Sequence, residues 1–282
     1  MTTIGCDTRP PFVRGGQRGL LIRFLQRSTL NDLFFIVQAG PTSAIVRGFR
    51  VVGTTKPGLH QTVLDDLGRL ITSGAIAPGN VLRIDELAER NGVSRPVIRE
   101  VVRVLESMGV LTTRRRVGVT VAERAAWNVF DPRIIRWRLD GTDREAQLES
   151  LGELRGGVEP VAASLAALRA TPEQCGDLTR AVMDMAVHGK AGNLEAYLEA
   201  DLLFHRTLLA ASGNEMLAAL TDVVSEVLIG RTHHGLMPAT PNPAAIRLHA
   251  DVAQAVQSGD PTAAEQAMRD IITEASNALR GT

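Results

Sequence analysis

Asp201 and His205 lie four residues apart in a stretch with helical periodicity, so their side chains project from the same helix face. A carboxylate and imidazoles are ligands that a borderline divalent cation such as Zn²⁺ or Ni²⁺ accepts. The same spacing also fits a hydrogen-bonded polar pair in the core of a helical bundle. The sequence therefore indicates either a cation site or a buried polar pair.

A second pair with this spacing, Arg95 and Arg99, shares a face at the start of another predicted helix. The planar guanidinium can bind guanine O6 and N7 together, or it can hold a phosphate. Further arginines follow in a short alternating segment, and the pattern indicates either DNA binding or a solvated basic surface. The candidate DNA contacts are Ser94, Arg95, Arg99, Arg103, Arg114, Arg115 and Arg116.

The elements around these arginines have the order of a winged helix-turn-helix domain, which we place at residues 58–124. Ser94 is expected to be the N-cap of the third helix, and Pro96 falls in the first helical turn, where its missing N–H does no harm. The predicted helices are 59–73, 85–91 and 94–108, and the predicted β-hairpin consists of 110–113 and 117–121.

Residues 125–282 read as an all-helical bundle, because glycine or proline breaks separate segments that each carry an apolar stripe. The fold class is therefore mainly α: a winged helix-turn-helix domain followed by a helical domain. The helices predicted after the hairpin are 132–139, 143–168, 172–187, 194–212, 215–231, 243–258 and 261–279.

The chain of 282 residues is long enough for two modest domains. Residues 1–57 match neither a sustained helix nor paired strands, and we interpret them as a flexible extension or as the product of a start codon placed too far upstream. Without a signal peptide or an apolar stretch of membrane length, and with only Cys6 and Cys175, a cytoplasmic protein is expected.

Charge is distributed unevenly along the chain. Residues 1–58 carry eight Lys and Arg against two Asp and Glu, whereas residues 123–282 carry fourteen against twenty-two. A basic front and an acidic rear suit a molecule that presents one end to a polyanion. Two domains with unrelated surfaces would give the same asymmetry.

Residues 82–100, with the sequence LRIDELAERNGVSRPVIRE, resemble the DNA-binding domain of the GntR family. The resemblance implies a homodimer that binds a palindromic operator in double-stranded DNA through the third helix and the wing. Arg95 and Arg99 match the family's base- and phosphate-contacting arginines, and Gly118 matches its wing-tip glycine. Ile84 and Asp85 stand where many members have an acidic residue and a DNA-contacting arginine.

The rear domain resembles the FCD effector domain of the FadR subgroup. The resemblance implies a metal site formed by Asp201, His205 and His249. The fourth histidine of such sites would lie near Ile271, whose apolar side chain cannot coordinate, so the site is expected to be incomplete. The motifs that carry the likeness are ELR at 153–155 with Glu159, DLLFH at 201–205, His249, and AEQAM at 264–268.

Arg155 and Glu159 are the candidate effector-binding residues. The resemblance implies that Arg155 reaches into the bundle and binds the carboxylate of a small effector, because a buried arginine needs an anionic partner. The alternative is an i, i+4 salt bridge to Glu159, which contributes little if it is exposed.

Three further segments are similar to members of the subgroup that respond to sugar acids such as galactonate or gluconate. The function implied is a DNA-binding transcription regulator, a repressor rather than an enzyme, controlled by a carboxylate effector. The alternatives are a metal-binding helical enzyme and a DNA-binding protein without an effector. The segments are WNVFD at 127–131, IRW at 135–137 and VEP at 158–160.

Overall fold

The computed structural model describes residues 58–280, with backbone alone at 279–280, and three short strands that precede them. These strands are β1 (Leu21–Phe24), β2 (Phe35–Gln38) and β3 (Ala44–Ile45), and they form one antiparallel sheet in the order β1-β2-β3. We expected no paired strands here, but Phe35, Ile36 and Val37 of β2 are aromatic and β-branched residues that favour a strand. The rest of residues 1–57, and so the predicted flexible extension, lies outside the described residues.

The winged helix-turn-helix domain has the predicted helix order. Its helices are α1 (Leu59–Thr72), α2 (Ile84–Asn91) and α3 (Arg95–Ser107), and the hairpin consists of β5 (Leu111–Arg114) and β6 (Gly118–Val121). A third strand that the sequence did not indicate, β4 (Val81–Leu82), pairs with β6. Two residues are too few to show a strand period, so β4 is visible only through its pairing.

The rear domain is a helical bundle, and none of the helices in residues 58–280 is long and apolar enough to cross a membrane. The predicted helix 215–231 is wrong in one respect: it is two helices, because the chain turns at residues 219–220, where Leu220 N–H donates to the Leu217 carbonyl instead of continuing the α-helical pattern. The helices are α4 (Pro132–Asp140), α5 (Arg144–Arg169), α6 (Pro172–Lys190), α7 (Leu194–Ala211), α8 (Glu215–Ala218), α9 (Thr221–His233), α10 (Pro243–Ser258) and α11 (Pro261–Arg280).

Helix α4 joins the two cores. On one side Trp137 is buried in the core of the DNA-binding domain, and its Nε1 donates to Asp65 Oδ1 of α1 at 2.9 Å. On the other side Ile135 and Leu139 pack with residues of α5 and α9. Arg136 of α4 also donates through Nε to Glu226 Oε2 of α9 at 3.0 Å. One short helix therefore contacts both the DNA-binding domain and the bundle.

The Trp137 ring lies so close to α1 that position 68 of that helix has room only for glycine. A Cβ at Gly68 would be 2.5 Å from the ring carbons, well inside van der Waals contact. We predict that Gly68→Ala lowers the free energy of unfolding by about 1–3 kcal/mol, because overpacking exceeds the gain in helix propensity.

Chemical denaturation of the purified variant measures this change. The matched control is Gly176→Ala, which lies on α6 with nothing within 4 Å of the added Cβ. It should be neutral or stabilise the protein by up to about 1 kcal/mol. Equal effects of the two substitutions would contradict the packing argument.

Candidate functional site

The N-terminal turn of α3 presents polar side chains to solvent. Ile98 is fully buried, whereas Arg95 and Arg99 on the opposite face are exposed. Ser94 precedes the helix as predicted, but its side chain makes no capping hydrogen bond. Ser94 is therefore the N-cap residue as predicted, and only the expected hydrogen bond from its hydroxyl is absent.

Asp85 pairs with Arg95 across the helix-turn-helix. Asp85 Oδ1 lies 2.7 Å from Arg95 Nε, and both side chains are about two-thirds exposed. Asp85, which stands where many family members have an arginine, therefore forms an ion pair with Arg95. Arg103 pairs with Glu100 at 2.5 Å, while no acidic residue in the described part of the chain pairs with Arg99.

The wing is a tight hairpin tip lined with arginines. Arg114 pairs with Gly118 in the β5–β6 register, and Arg114, Arg115 and Arg116 are all exposed. Gly118 has φ of +105° and Arg116 has φ of +68°, so the turn uses two left-handed residues. Each of the predicted DNA contacts, from Ser94 to Gly118, is solvent-exposed.

A cavity of about 180 Å³ lies inside the bundle, between α5, α7, α9, α10 and α11. Its lining includes the three predicted metal ligands, the predicted effector residue Arg155, and Ile271 at the position of the expected fourth histidine. It also includes polar residues that the sequence did not single out. The lining residues discussed below are Arg155, Asp201, His205, Arg231, Asn242, His249, Ile271 and Glu274.

Asp201, His205 and His249 converge as the sequence predicted. Asp201 Oδ1 lies 3.4 Å from His205 Nε2 and 3.3 Å from His249 Nε2. Charge-assisted hydrogen bonds are shorter, at roughly 2.7–2.9 Å. Two metal bonds of about 2.1 Å at a tetrahedral angle separate their ligand atoms by about 3.4 Å. The spacing therefore fits a coordination sphere better than a polar pair.

Both histidines are held so that Nε2 faces Asp201. His249 Nδ1 donates to the Ala245 carbonyl at 2.7 Å, and His205 Nδ1 lies 2.8 Å from Glu159 Oε2. Metal-ligating histidines are usually oriented by such partners on the second ring nitrogen. Asp201 Oδ1 and His249 Nε2 are buried without a hydrogen-bond partner among the described residues. The donor set therefore fits a divalent cation.

Arg155 and Glu159 form a buried ion pair rather than an exposed one. Arg155 Nε donates to Glu159 Oε1 at 2.7 Å, and Nη2 donates to Oε2 at 3.3 Å. The salt bridge to Glu159 considered as an alternative is therefore present, but both side chains are almost completely buried, so the low value of an exposed pair does not apply. Arg155 also faces the cavity, with Nη2 lying 3.5 Å from His205 Nε2.

The electrostatics of this interior are dominated by alternating charges. Burial opposes ionisation of Glu159, but Arg155 and His205 outweigh it and lower the pKa of Glu159 to about 2. Burial likewise opposes protonation of His205, yet Glu159 and Asp201 raise its pKa to about 9. In the metal-free protein His205 is therefore a cation between two carboxylates, and a bound metal ion would replace its proton.

Arg231 is a cavity residue that sequence reasoning missed. It lies near the end of α9, and its Nε is buried without a hydrogen-bond partner among the described residues. Glu274 of α11 and Asn242 at the N-cap of α10 also line the cavity, and Asn242 Nδ2 donates to Glu274 Oε1 at 3.1 Å. In the sequence, Arg231 stands out only as an arginine in the last turn of a largely apolar helix.

Comparisons with known proteins agree with this architecture. The family model described as bacterial regulatory proteins, gntR family, matches residues 59–121, and the FCD domain model matches residues 150–274. The galactonate operon transcriptional repressor of Escherichia coli K12 is 30% identical over 216 residues, covering 76% of this chain and 93% of that protein. The chain belongs to the GntR family.

Two further comparisons also match this GntR-family regulator. The transcriptional regulator LutR of Bacillus subtilis is 28% identical over 218 residues, which cover 75% of this chain and 97% of LutR. The solved structure of Lar from Listeria monocytogenes has a TM-score of 0.50 at 17% identity and covers 81% of this chain and 99% of that one. That likeness supports the fold.

The families and the relatives are transcriptional regulators. The predicted family, the mainly helical fold class and the prediction of a regulator rather than an enzyme are therefore confirmed. The chain combines a GntR helix-turn-helix domain that binds DNA with an FCD domain that binds a small-molecule effector.

The low pKa of Glu159 has a consequence for stability. A carboxylate with a depressed folded-state pKa stabilises the protein above its unfolded pKa, and this stabilisation is lost as pH falls through the folded value. We predict that Glu159→Gln lowers the free energy of unfolding of chelator-treated protein by about 3–5 kcal/mol at pH 7. The penalty should shrink by about 3 kcal/mol between pH 4.5 and pH 2.

Denaturant unfolding at a series of pH values measures the difference from the wild type. The control is Glu265→Gln, which removes an exposed i, i+4 pair with Arg269 and should cost less than about 1 kcal/mol at every pH. A Glu159 penalty that does not change with pH would contradict the assignment of Glu159 as a buried, ionised carboxylate.

Proposed function

We propose that this regulator is a repressor that releases its operator when a small carboxylate effector binds beside a divalent cation in the bundle. The observation that carries the proposal is the set of three converging ligand atoms at the wall of the cavity, two of which have no hydrogen-bond partner among the described residues. Buried polar atoms without partners cost free energy unless something binds them.

The DNA-binding half acts as a homodimer on a palindromic operator. The N-terminal turn of α3 enters the major groove, where Arg95 and Arg99 reach base edges or phosphates, and Ser94 and Arg103 contact the backbone. Arg114, Arg115 and Arg116 at the wing lie along phosphates, and Gly118 permits the tight wing tip. The exposure of these eight residues supports this arrangement.

In the bundle, Asp201, His205 and His249 would hold the cation, which we expect to be Zn²⁺ or Ni²⁺. The bound cation would supply a positive charge that attracts a carboxylate or hydroxyl oxygen. Ile271 lines the same cavity without offering a ligand atom, so one side of the cation would remain open to the effector. Glu159 orients His205, and Arg155 adds positive charge beside it.

A sugar acid such as gluconate or galactonate is the proposed effector. The cavity of about 180 Å³ is of a size that suits a small metabolite. Its wall alternates carboxylates, guanidinium groups and an amide, which suits a polyhydroxylated anion. The 30% identical relative is named for a galactonate operon.

Helix α4 supports coupling between the two halves. It contacts α9, which carries the cavity residue Arg231, and it places Trp137 on α1 of the DNA-binding domain. An effector can shift operator binding only by its different affinities for the DNA-binding and released states. Because α4 packs on both domains, effector binding in the bundle and DNA binding by the other domain could each shift its position.

For DNA, we predict that Arg99→Ala and Arg95→Ala each weaken operator binding by about 1–3 kcal/mol, as expected if they read bases. Arg115→Ala should weaken binding to operator and random DNA alike and reduce the salt dependence. Mobility shifts on the region upstream of the gene would measure this, with two protein chains bound per site.

Arg180→Ala is the control for these variants, because Arg180 lies exposed on α6 of the bundle and pairs only with Asp177. Its affinity should equal that of the wild type. Unchanged affinity in both α3 variants would overturn the docking model. One chain per operator would overturn the homodimer.

For the cation, we predict that His249→Ala removes most of the Zn²⁺ or Ni²⁺ from protein purified without chelators and weakens sugar-acid binding at least 10-fold, in line with the loss of a metal ligand. His188→Ala, at a histidine of α6 that does not line the cavity, should leave both unchanged. Elemental analysis and calorimetry measure the two quantities.

Operator release then completes the test. Gluconate or galactonate should release operator from the wild type but not from His249→Ala. A wild-type protein without stoichiometric metal would contradict the cation site. Operator binding that no sugar acid alters would favour the alternative of a DNA-binding protein that does not respond to this effector class.

A further inference from the structure

Two arginines line the cavity, and among the described residues only Arg155 is paired with a carboxylate. Arg155 is bound through two nitrogens to Glu159, so its charge is already neutralised within the protein. Arg231 approaches from α9, and its Nε is buried with no acceptor among the described residues. A buried guanidinium donor without an acceptor is costly, and the cost is removed by an anion in the cavity.

The charges around Arg231 do not offset the cost of its burial. Burial lowers the pKa of Arg231, and repulsion from Arg155 lowers it further. Asp201, Glu274 and Tyr197 act in the opposite direction but do not outweigh these effects. Arg155 shows the reverse balance, because Glu159 raises its pKa despite complete burial.

The formal charges around the cavity also favour an anionic ligand. The carboxylates of Glu159, Asp201 and Glu274 face the guanidinium groups of Arg155 and Arg231. With a divalent cation on the ligand set, positive charge would exceed negative charge by one. A monocarboxylate would restore neutrality, whereas a neutral polyol would not.

We propose that Arg231, rather than Arg155, binds the carboxylate of the effector, and that Glu274, held by Asn242, accepts hydrogen bonds from its hydroxyl groups. This proposal rests on the proposed effector function and specifies how the cavity recognises its ligand. A guanidinium fork matches a carboxylate in geometry as well as in charge. Glu274 receives one bond from Asn242 Nδ2, and a carboxylate can accept several more.

The residues therefore select for two chemical features at once: a carboxylate for Arg231 and a hydroxyl-bearing chain for Glu274. The ligand class is a hydroxylated monocarboxylate. Galactitol, which has the hydroxyl groups but no carboxylate, should bind weakly. Propionate, which has the carboxylate but no hydroxyl groups, should also bind weakly.

Calorimetry of the full-length, metal-loaded protein against galactonate, gluconate, lactate, propionate and galactitol tests this. Arg231→Gln should lower galactonate affinity about 10- to 100-fold, as for the loss of a hydrogen bond to a charged group. Galactitol binding should be unchanged. Arg231→Lys, which keeps the charge but not the fork, should lie between Arg231→Gln and the wild type.

Two further variants separate the contributions. Glu274→Gln should weaken galactonate more than lactate, since fewer hydroxyl groups depend on it in the shorter acid. Arg247→Gln, at an exposed arginine of α10, is the matched control and should bind like the wild type. Metal content and operator affinity should be the same in all variants, which shows that each one is folded.

The outcomes distinguish this proposal from the proposed function. Equal galactonate affinity in the wild type and Arg231→Gln would overturn the role of Arg231 and leave the sugar-acid effector intact. Arg231-dependent binding of lactate or propionate, with none of the sugar acids, would retain Arg231 and overturn the sugar-acid assignment. Binding of none of the carboxylates to the wild type would overturn both.

Discussion

The interior of the bundle depends on one buried carboxylate. Glu159 has no exposed surface and interacts with both Arg155 and His205, so it neutralises one cation and orients another. Without it, Arg155 would be an unpaired charge in a low-dielectric interior, and the His205 ring would lose the partner that directs Nε2 towards Asp201. The rest of the polar cavity is arranged around this residue: the ligand set lies on one side of His205, and Arg231 lies across the cavity with no carboxylate of its own.

The same polar interior is connected to the DNA-binding domain through a few packed side chains. Trp137 on α4 lies against the backbone of α1 at Gly68, and the preceding residue, Arg136, pairs with Glu226 of α9. Because α9 also supplies Arg231, one helix carries a cavity residue and a contact to the linking helix. The proposed regulation requires such a connection, and the close glycine–tryptophan contact, the Trp137–Asp65 hydrogen bond and the partly buried ion pair all belong to it.

Most of the fold could be predicted from the sequence, because long amphipathic helices with capping residues and glycine or proline breaks carry strong local signals. The predicted limits of α5, α7 and α10 differ from the observed ones by no more than a residue at either end. The break between α8 and α9 could not be seen, because it is a change in the backbone hydrogen bonding at residues 219–220 with no glycine or proline to mark it. Strand β4 was missed because it is defined only by its pairing with β6.

The site was predicted unevenly, for a physical reason. Asp201 and His205 share a helix, so their spacing alone brings them together, whereas His249 joined them only through family resemblance. Arg231 and Glu274 come from two other helices, and which side of each helix faces the cavity is decided by tertiary packing. Ser94 was assigned a capping role from its position, yet the structure leaves its hydroxyl free of the helix N–H groups.

In the proposed docking, the ion pair between Asp85 and Arg95 would also affect the search along DNA. Non-specific binding arises from phosphate contacts, and an arginine that already has a carboxylate partner gains less from exchanging it for a phosphate. Bidentate binding to a guanine edge would offer two hydrogen bonds in return for the one that is lost. Asp85 would therefore weaken binding to arbitrary sequence more than binding to a matching half-site, and an acidic residue beside the recognition helix would sharpen discrimination.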